Sequence, residues 1–326
     1  MNQHPYERLD PDLVISAVES AGYRCDARLL ALNSYENRVY QVGLEEAEPI
    51  IAKFYRPERW TDEQILEEHS FSFELQSADI SVVAPLKGMD SLSLFDYEGF
   101  RFALFPRRGG HPPELDNPDN LLVLGRTLGR MHTVGKAVPF KFRQSITVQR
   151  MLEDSRELIL DGFIPDDLRA AYETLTRDLT ASVSSIFSEI GQSDLQRVHG
   201  DCHVGNILWR DDTAHFVDLD DCCSAPAIQD LWMFLSGSRA DRQLQLSELV
   251  EGYSEFCDFD PKQLRWVEAL RTMRLVHYAA WLARRWQDPA FPRSFTWFNT
   301  GRYWSDHILE LREQLAALQE TPLQLL

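Results

Sequence analysis

The segment VHGDCHVGNILWRDDTAHFVDLDD occupies residues 198–221. Within it are two apolar-rich runs, at 207–209 and 215–217, and residues 210–213 between them are of turn-forming type. This pattern predicts two short strands joined by a tight turn. Polar side chains with chemical uses stand before the first predicted strand and directly after the second. The rest of the chain is interpreted around this hairpin.

Three of these polar residues are Asp201, Asn206 and Asp218. Carboxylate and amide oxygens bind Mg²⁺ together with phosphate oxygens, so Asn206 and Asp218 are candidate metal ligands. Asp201 can then orient a hydroxyl nucleophile and accept its proton, and both aspartates are candidate catalytic residues. Charge neutralisation, positioning and a modest base are what phosphoryl transfer requires.

The order of these residues parallels the protein-kinase pattern H-R-D-x-x-x-x-N followed by D-F-G. The chain has His199-Gly200-Asp201, then Asn206, then Asp218-Leu219-Asp220. The spacing within the first motif is the same, but glycine replaces arginine and Leu-Asp replaces Phe-Gly. Asp220 is therefore a candidate for a second metal ion or for a structural role.

Two other interpretations of the segment are open. The acids could be solvated residues of an ordinary hairpin, although their fixed offsets from Asn206 argue against this. A structural zinc ion could use nearby Cys and His side chains, but none of them forms a C-x-x-C or H-x-x-x-H pair. The residues concerned are Cys202, His203, His215, Cys222 and Cys223.

The composition is that of an ordinary globular enzyme, with 326 residues, 44% apolar and 26% charged. A formal net charge of −18 disfavours nucleic acid as a partner and favours cationic substrates at long range. No apolar run approaches the roughly 20 residues that span a bilayer, so we expect no membrane association. The N-terminus lacks the features of a secretory signal, and five cysteines do not suggest a disulfide framework. We expect a cytoplasmic protein.

Several blocks of the sequence resemble the stress response kinase A family of the aminoglycoside phosphotransferase and choline kinase superfamily. They are LNSYENRVYQV, AKFYRPERWTDEQILEEH, HGDCHVGNILWRD, FVDLDD, PAIQDLWM and RRWQDPAFP, and they extend from about residue 32 to residue 292. The resemblance implies an α/β (α+β) class, bilobal protein-kinase-like fold with a small antiparallel-sheet N-lobe and a larger helical C-lobe. It also implies serine/threonine protein phosphorylation in a stress response, including autophosphorylation.

The N-terminal part shows the alternation of strands and helices that such a lobe needs. Helices are predicted at 11–21 and 62–76, and strands at 29–32, 39–42, 50–55, 81–85 and 99–105. We expect all five strands to form one antiparallel sheet.

Candidate nucleotide contacts lie on these elements. Lys53 is the lysine of an apolar strand that loosely resembles the V-A-I-K of kinases, where it grips the α/β-phosphates. Its partner should be a glutamate on the next helix, either Glu67 or Glu68, and superfamily spacing favours Glu68. The family resemblance makes Ser34, in the turn between the first two strands, an ATP contact.

A shift to Pro, Gly and charge at 106–113 marks a domain boundary. We expect an ATP-binding lobe at 1–106 and a catalytic and substrate lobe at 107–326. The family resemblance implies that the backbone at this boundary is a hinge that hydrogen-bonds the adenine of ATP. In the second lobe, helical periods are expected at 117–132, 148–160, 165–190, 242–257, 261–286 and 308–318, and residues 226–233 should open a buried helix. Asp230 should brace the catalytic loop, and His132 should be structural.

The residues predict a kinase that uses ATP and Mg²⁺, and we expect a monomer. The family resemblance implies that it phosphorylates a serine or threonine of a protein. A small-molecule hydroxyl kinase, acting on an amino alcohol, aminoglycoside or sugar, is the alternative. A pseudokinase that only binds nucleotide is a third possibility, which the presence of Lys53, Asp201, Asn206 and Asp218 disfavours.

Overall fold

A computed structural model describes residues 6–326. The chain begins with helix α1 (Pro11–Ser20), whose N-cap Asp10 accepts a hydrogen bond from the backbone N–H of Leu13 at 2.8 Å. Val14, Ala17 and Val18 lie on the buried face of α1 and pack on the sheet that follows. Both the predicted helix and its N-cap are confirmed.

The N-terminal sheet has five antiparallel strands in the spatial order β1-β2-β3-β5-β4. The strands are β1 (Cys25–Ala31), β2 (Arg38–Leu44), β3 (Ala47–Phe54), β4 (Phe95–Tyr97) and β5 (Phe100–Pro106). In the central pairing, Lys53 of β3 stands opposite Val39 of β2 and Ala103 of β5. Lys53 is thus held in the middle of the sheet.

Helix α2 (Asp62–Ser77) connects β3 to the rest of the sheet and starts with a capping box between Thr61 and Gln64. Its buried face serves both lobes. Ile65 packs with side chains of the sheet, whereas Phe71 and Leu75 belong to the core of the helical lobe. Helix α2 therefore joins the two lobes rather than belonging to one alone.

The prediction that residues 81–85 form a strand of the N-terminal sheet was wrong. Val82 instead makes an isolated parallel bridge with Phe216, in the second strand of the hairpin predicted at 207–217. The backbone N–H of Val83 donates to the Phe216 carbonyl there at 2.9 Å. The run has strand-forming residues, but its partner lies 134 positions later, so local composition could not identify it. The short strand β4, which the sequence did not predict, takes the edge position instead.

The C-terminal lobe is largely helical. Its helices are α3 (Pro118–Ala137), α4 (Asp154–Gly162), α5 (Asp166–Phe187), α6 (Arg239–Ser254), α7 (Val267–Arg285), α8 (Ala290–Ser294) and α9 (Gly301–Ala317). A π-helical turn, Gln149–Glu153, precedes α4. The small-sheet N-lobe and helical C-lobe confirm the predicted fold class.

Two glycines of α3 explain a close helix contact of this lobe. Helix α3 packs on α6 through Gly125 and Gly129, where a side chain would overlap the carbonyl oxygens of Leu249 and Tyr253. The buried helix expected at 226–233 is instead two 3₁₀ turns, Ala227–Asp230 and Trp232–Phe234.

The described residues 6–326 contain no helix with the length and apolar character that a bilayer span requires.

Two short antiparallel strand pairs hold the catalytic segment in this lobe. Strand β6 (Gln196–Val198) pairs with β9 (Cys223–Ala225), and β7 (Ile207–Arg210) pairs with β8 (Thr213–Phe216). The β6–β9 pair was not predicted from the sequence. It closes the base of residues 199–222, which are called the catalytic loop below.

Candidate active site

The hairpin of β7 and β8, which the sequence predicts, brings together the residues that directly precede and follow it. Its turn residues Asp211 and Asp212 have φ angles of 52° and 55°, a left-handed pair that matches the twist of a tight hairpin. At the open end, the backbone N–H of Val217 donates to the carbonyl of Asn206 at 3.0 Å. Asn206 and Asp218 are therefore neighbours in space.

Asp230 fixes the start of the catalytic loop. Its carboxylate is fully buried and accepts from the backbone N–H groups of His199 at 2.7 Å and Gly200 at 2.9 Å. It also lies 3.0 Å from Nε2 of His132, whose other ring nitrogen lies 3.0 Å from the Tyr253 hydroxyl. These contacts match the bracing role predicted for Asp230 and the structural role predicted for His132.

Gly200 replaces the arginine of the protein-kinase pattern for a steric reason. Its φ is +86°, in the left-handed region that favours glycine. A Cβ at this position would overlap the carbonyl oxygen of Asp221. The close approach of residues 200 and 221 therefore requires glycine.

Asp201, the candidate base, has two basic neighbours. Arg274 of α7 donates to Oδ1, and Nε2 of His203 lies 3.4 Å from Oδ2. Burial alone would raise the pKa of Asp201, but the hydrogen bonds and charges of His203 and Arg274 outweigh it and hold the pKa below its usual range. Asp201 is thus ionised at neutral pH and available to receive a hydroxyl hydrogen bond.

Asn206 and Asp218 retain oxygens that a cation could use. The Asn206 amide donates to the Asp201 carbonyl at 3.0 Å, and its Oδ1 has no hydrogen-bond donor among residues 6–326. The Asp218 side chain is 50% exposed, and its contact with Lys53 uses Oδ1 alone. Two protein ligands suit Mg²⁺, which completes its shell with water and phosphate oxygens. The residues present therefore fit this ion.

Lys53 is only 5% exposed and meets the catalytic loop directly. Its Nζ lies 2.7 Å from Oδ1 of Asp218 and 3.2 Å from Oδ1 of Asp220. Burial disfavours the ammonium form, but the charges of Asp218 and Asp220 prevail and raise the pKa of Lys53. The structure thus places Lys53 between the strand and the candidate metal ligands.

Glu68 lies near Lys53 without forming an ion pair with it within 4 Å in the described part of the chain. Its side chain is buried, Oε2 has no hydrogen-bond partner there, and burial raises the pKa of Glu68 to about 7. Glu67, the other candidate, accepts three backbone N–H groups of residues 141–143 instead. Of the two glutamates, only Glu68 is thus near Lys53.

Ser34 lies half-buried in the turn between β1 and β2. The structure describes no contact from Ser34 to the other predicted site residues. A second residue of this turn, Glu36, was not singled out from the sequence. It accepts from Nε1 of Trp281 at 2.6 Å and from Nη2 of Arg285 at 2.7 Å, both on α7.

Glu36 belongs to an ion-pair network between the lobes. Arg56, just after β3, lies 3.1 Å from Glu36 and 2.7 Å from Asp288 of the C-lobe. Arg59 pairs with Asp220 and also lies 2.6 Å from Asp221. These contacts fasten the turn of Ser34 and the end of β3 to the helical lobe. In the sequence, the only signal was the density of charge around residues 56 and 285; the block around residue 36 has no such density.

The arrangement has the parts that phosphoryl transfer needs. An ionised carboxylate is available for the acceptor hydroxyl, two oxygen ligands suit a divalent cation, and a buried lysine can hold phosphate oxygens. The cleft between the sheet and the catalytic loop brings Lys53, Asp218 and Asp220 into contact.

The sequence pattern of the phosphotransferase enzyme family matches residues 28–267. The chain is 46% identical over 321 residues to stress response kinase A of Escherichia coli (strain K12). This match covers 98% of this chain and 97% of the relative. It is 43% identical over 327 residues to serine/threonine protein kinase RdoA of Salmonella typhimurium (strain LT2), with 99% and 98% covered.

The fold also has solved counterparts. The amicoumacin kinase hAmiN, in complex with AMP-PNP, Ca²⁺ and Ami, superposes with a TM-score of 0.74 at 20% identity. The match covers 94% of this chain and 93% of that structure. At this level of identity the likeness concerns the fold.

Proposed function

This chain belongs to the phosphotransferase enzyme family, and we propose that it is an ATP- and Mg²⁺-dependent serine/threonine protein kinase of a cellular stress response. The observation that carries the proposal is the meeting of Asp201, Asn206, Asp218 and Lys53 at one cleft. The serine/threonine acceptor and the stress response are inferred from the names of the two bacterial relatives.

In this proposal each residue has one task. Asp201 orients the acceptor hydroxyl and takes its proton. Asn206 and Asp218 hold Mg²⁺, which when bound neutralises charge on the phosphates. Lys53 leaves its contact with Asp218 to grip the α/β-phosphates. Glu68, protonated in part near neutral pH, lies near Lys53 and tunes its charge.

The remaining nucleotide contacts come from the N-terminal side of the cleft. Ser34 contacts ATP from the turn that Glu36 fixes to α7. The boundary between an ATP-binding lobe and a catalytic and substrate lobe falls between residues 106 and 107, at the end of β5. We place the enzyme in the cytoplasm as a monomer that also phosphorylates itself.

The test is a comparison of acceptors. Purified protein is incubated with γ-labelled ATP and Mg²⁺, alone, with a generic protein acceptor, and with a panel of amino alcohols, aminoglycosides and sugars. We expect label on serine or threonine of protein. Label on a small alcohol with none on protein would replace this proposal with the small-molecule hydroxyl kinase.

A further inference from the structure

Two arginines beside the catalytic loop lack counterions. Arg150 lies on the π-helical turn and Arg284 on the last turn of α7. Among residues 6–326, neither guanidinium has a hydrogen bond or ion pair, and Nε of Arg150 is buried as well. Arg284 is exposed and its guanidinium is solvated, whereas Arg150 is half-buried. Because a buried N–H without a partner is costly, the orphaned Nε of Arg150 indicates bonding capacity that a ligand could fill.

Both arginines act electrostatically on His277 of α7. On α7, the positions of Arg274, His277 and Arg284 share one face, since they are three and seven residues apart. Arg274 at the start of this face donates to Asp201. The basic face therefore begins at Arg274, which contacts Asp201, the residue proposed to receive the acceptor hydroxyl.

His277 marks the centre of the cluster. Its Nδ1 lies 3.1 Å from Oγ of Ser155 on α4, next to the π-helical turn. Burial and then the charges of Arg150, Arg284 and Arg274 lower the pKa of His277 to about 3. The arginines are therefore close enough to act on one neutral imidazole together.

The carboxylates near the cluster already have partners. Asp154 and Glu36 act on Arg284 electrostatically. Asp154 accepts from Gln149 at 2.7 Å, and Glu36 accepts from Arg285 at 2.7 Å. Asp154 keeps its charge beside the neutral amide of Gln149, but no carboxylate in the described part of the chain contacts Arg150 or Arg284 directly.

We propose that Arg150, Arg274 and Arg284 form an anion-binding subsite for an acidic group adjacent to the phosphoacceptor residue. The inference rests on the proposed function as a protein kinase and specifies its substrate class: a serine or threonine segment that carries carboxylate or phosphate beside the acceptor. Guanidinium groups suit this role, because their planar N–H pairs match both anions.

The net charge of −18 acts in the opposite direction, so distance decides between the two effects. At physiological ionic strength, charges separated by more than about 8 Å are largely screened. The arginines would touch the acidic group, whereas most of the surface carboxylates lie beyond that range. Net charge therefore slows the approach of an acidic segment without determining its final contacts.

The test uses matched serine peptides that differ only beside the acceptor, where they carry Glu, phosphoserine, Gln or Lys. Wild type is compared with Arg284→Gln, Arg150→Gln and the control Arg177→Gln, whose exposed side chain pairs with Asp178 on α5. We expect wild type to prefer the two anionic peptides. Their KM should rise about tenfold in Arg284→Gln and Arg150→Gln and stay at the wild-type value in Arg177→Gln. The better of the Glu and phosphoserine peptides identifies the anion.

Equal use of the Lys peptide, or a rise in the KM for ATP in place of the peptide KM, would overturn the subsite. A second readout is independent of turnover: fluorescence anisotropy of a labelled Glu peptide in which alanine replaces the acceptor serine. If ATP is consumed but no peptide or protein is labelled, the proposed function fails. Binding lost in Arg284→Gln would then still support the anion site, and unchanged binding would refute it.

Discussion

The catalytic loop and the cleft-facing side of α7 hold their charges in opposite ways. In the loop, Asp201, Asp218 and Asp220 each contact at least one cation. On α7, Arg274 has Asp201 as its partner, whereas Arg284 has none within the described residues. These three acids of the loop are thus all paired, whereas the helix face keeps one exposed arginine without a partner in the described part of the chain.

The difference separates two tasks of one cleft. In the proposed function the paired acids serve a metal ion and the phosphates of ATP, and in the proposed subsite the arginines serve the acceptor. It also shows why the total charge of the chain describes the cleft poorly: most of the acids near the cleft are consumed by ion pairs. Long-range charge and local charge have opposite signs here.

The largest effect is expected on the acidic side. Asp218→Ala should lower Mg²⁺-dependent ATP turnover about a thousandfold, because the candidate metal loses its only charged ligand. Steady-state turnover beside Asp161→Ala, an exposed aspartate of α4, measures the effect. Normal turnover in Asp218→Ala would show that Asp218 binds no metal ion needed for turnover, and the proposed task of the paired acids would be wrong.

Lys53→Ala should come next, with activity lowered about a hundredfold because the α/β-phosphates lose their cation. Asp220 keeps its contacts with Arg59 and Asn37, so we expect a folded variant that is about 2 kcal/mol less stable. Denaturant unfolding and kinetics on the same sample separate the two effects. Collapse of the fold would instead make Lys53 a structural residue.

Glu36→Gln tests the mechanical role of α7. Removing this charge leaves Arg285 without its carboxylate, whereas Arg56 keeps Asp288, so the free energy of unfolding should fall by about 2 kcal/mol. The turn that carries Ser34 would lose its anchor, and the KM for ATP should rise about tenfold. The matched control is the exposed Glu45→Gln. If both variants bind ATP equally well, the turn is positioned by other contacts.

The effect that is smallest at neutral pH concerns two buried histidines, and it grows as the pH falls. Burial lowers the pKa of both His69 and His277 to about 3, far below the value of about 6.5 in an unfolded chain. The unfolded state then binds more protons, so the stability that these groups contribute is present above pH 6.5 and is lost as pH falls towards 3. Each should contribute about 1 kcal/mol per pH unit. His69→Gln should flatten the acid side of the stability curve, and a slope identical to wild type would contradict the neutral buried imidazole.

Sequence spacing predicted the catalytic loop because its residues are close in the chain. Asp201, Asn206 and Asp218 lie within 18 positions, and a hairpin between them fixes their relation. Lys53 was identified in the same way, from a single strand. In each case one hairpin or strand determines where the candidate site residues lie.

The α7 face could not be predicted in this way. Arg274 is 73 residues from Asp201, and Arg285 is 249 residues from Glu36, so only tertiary packing brings these pairs together. Helical periodicity at 274–285 was visible, but it does not specify which residue the helix will meet. The misassigned run at 81–85 has the same cause, because its partner Phe216 lies in the other lobe.

In the proposed function, Asp201 directs phosphoryl transfer to a hydroxyl of protein. The most direct test incubates wild type and Asp201→Asn with γ-labelled ATP, Mg²⁺ and a protein acceptor, followed by phosphoamino-acid analysis and a separate measurement of ATP binding. We predict label on serine or threonine in wild type, and its loss in the variant with ATP binding retained. Equal labelling by Asp201→Asn would contradict the account.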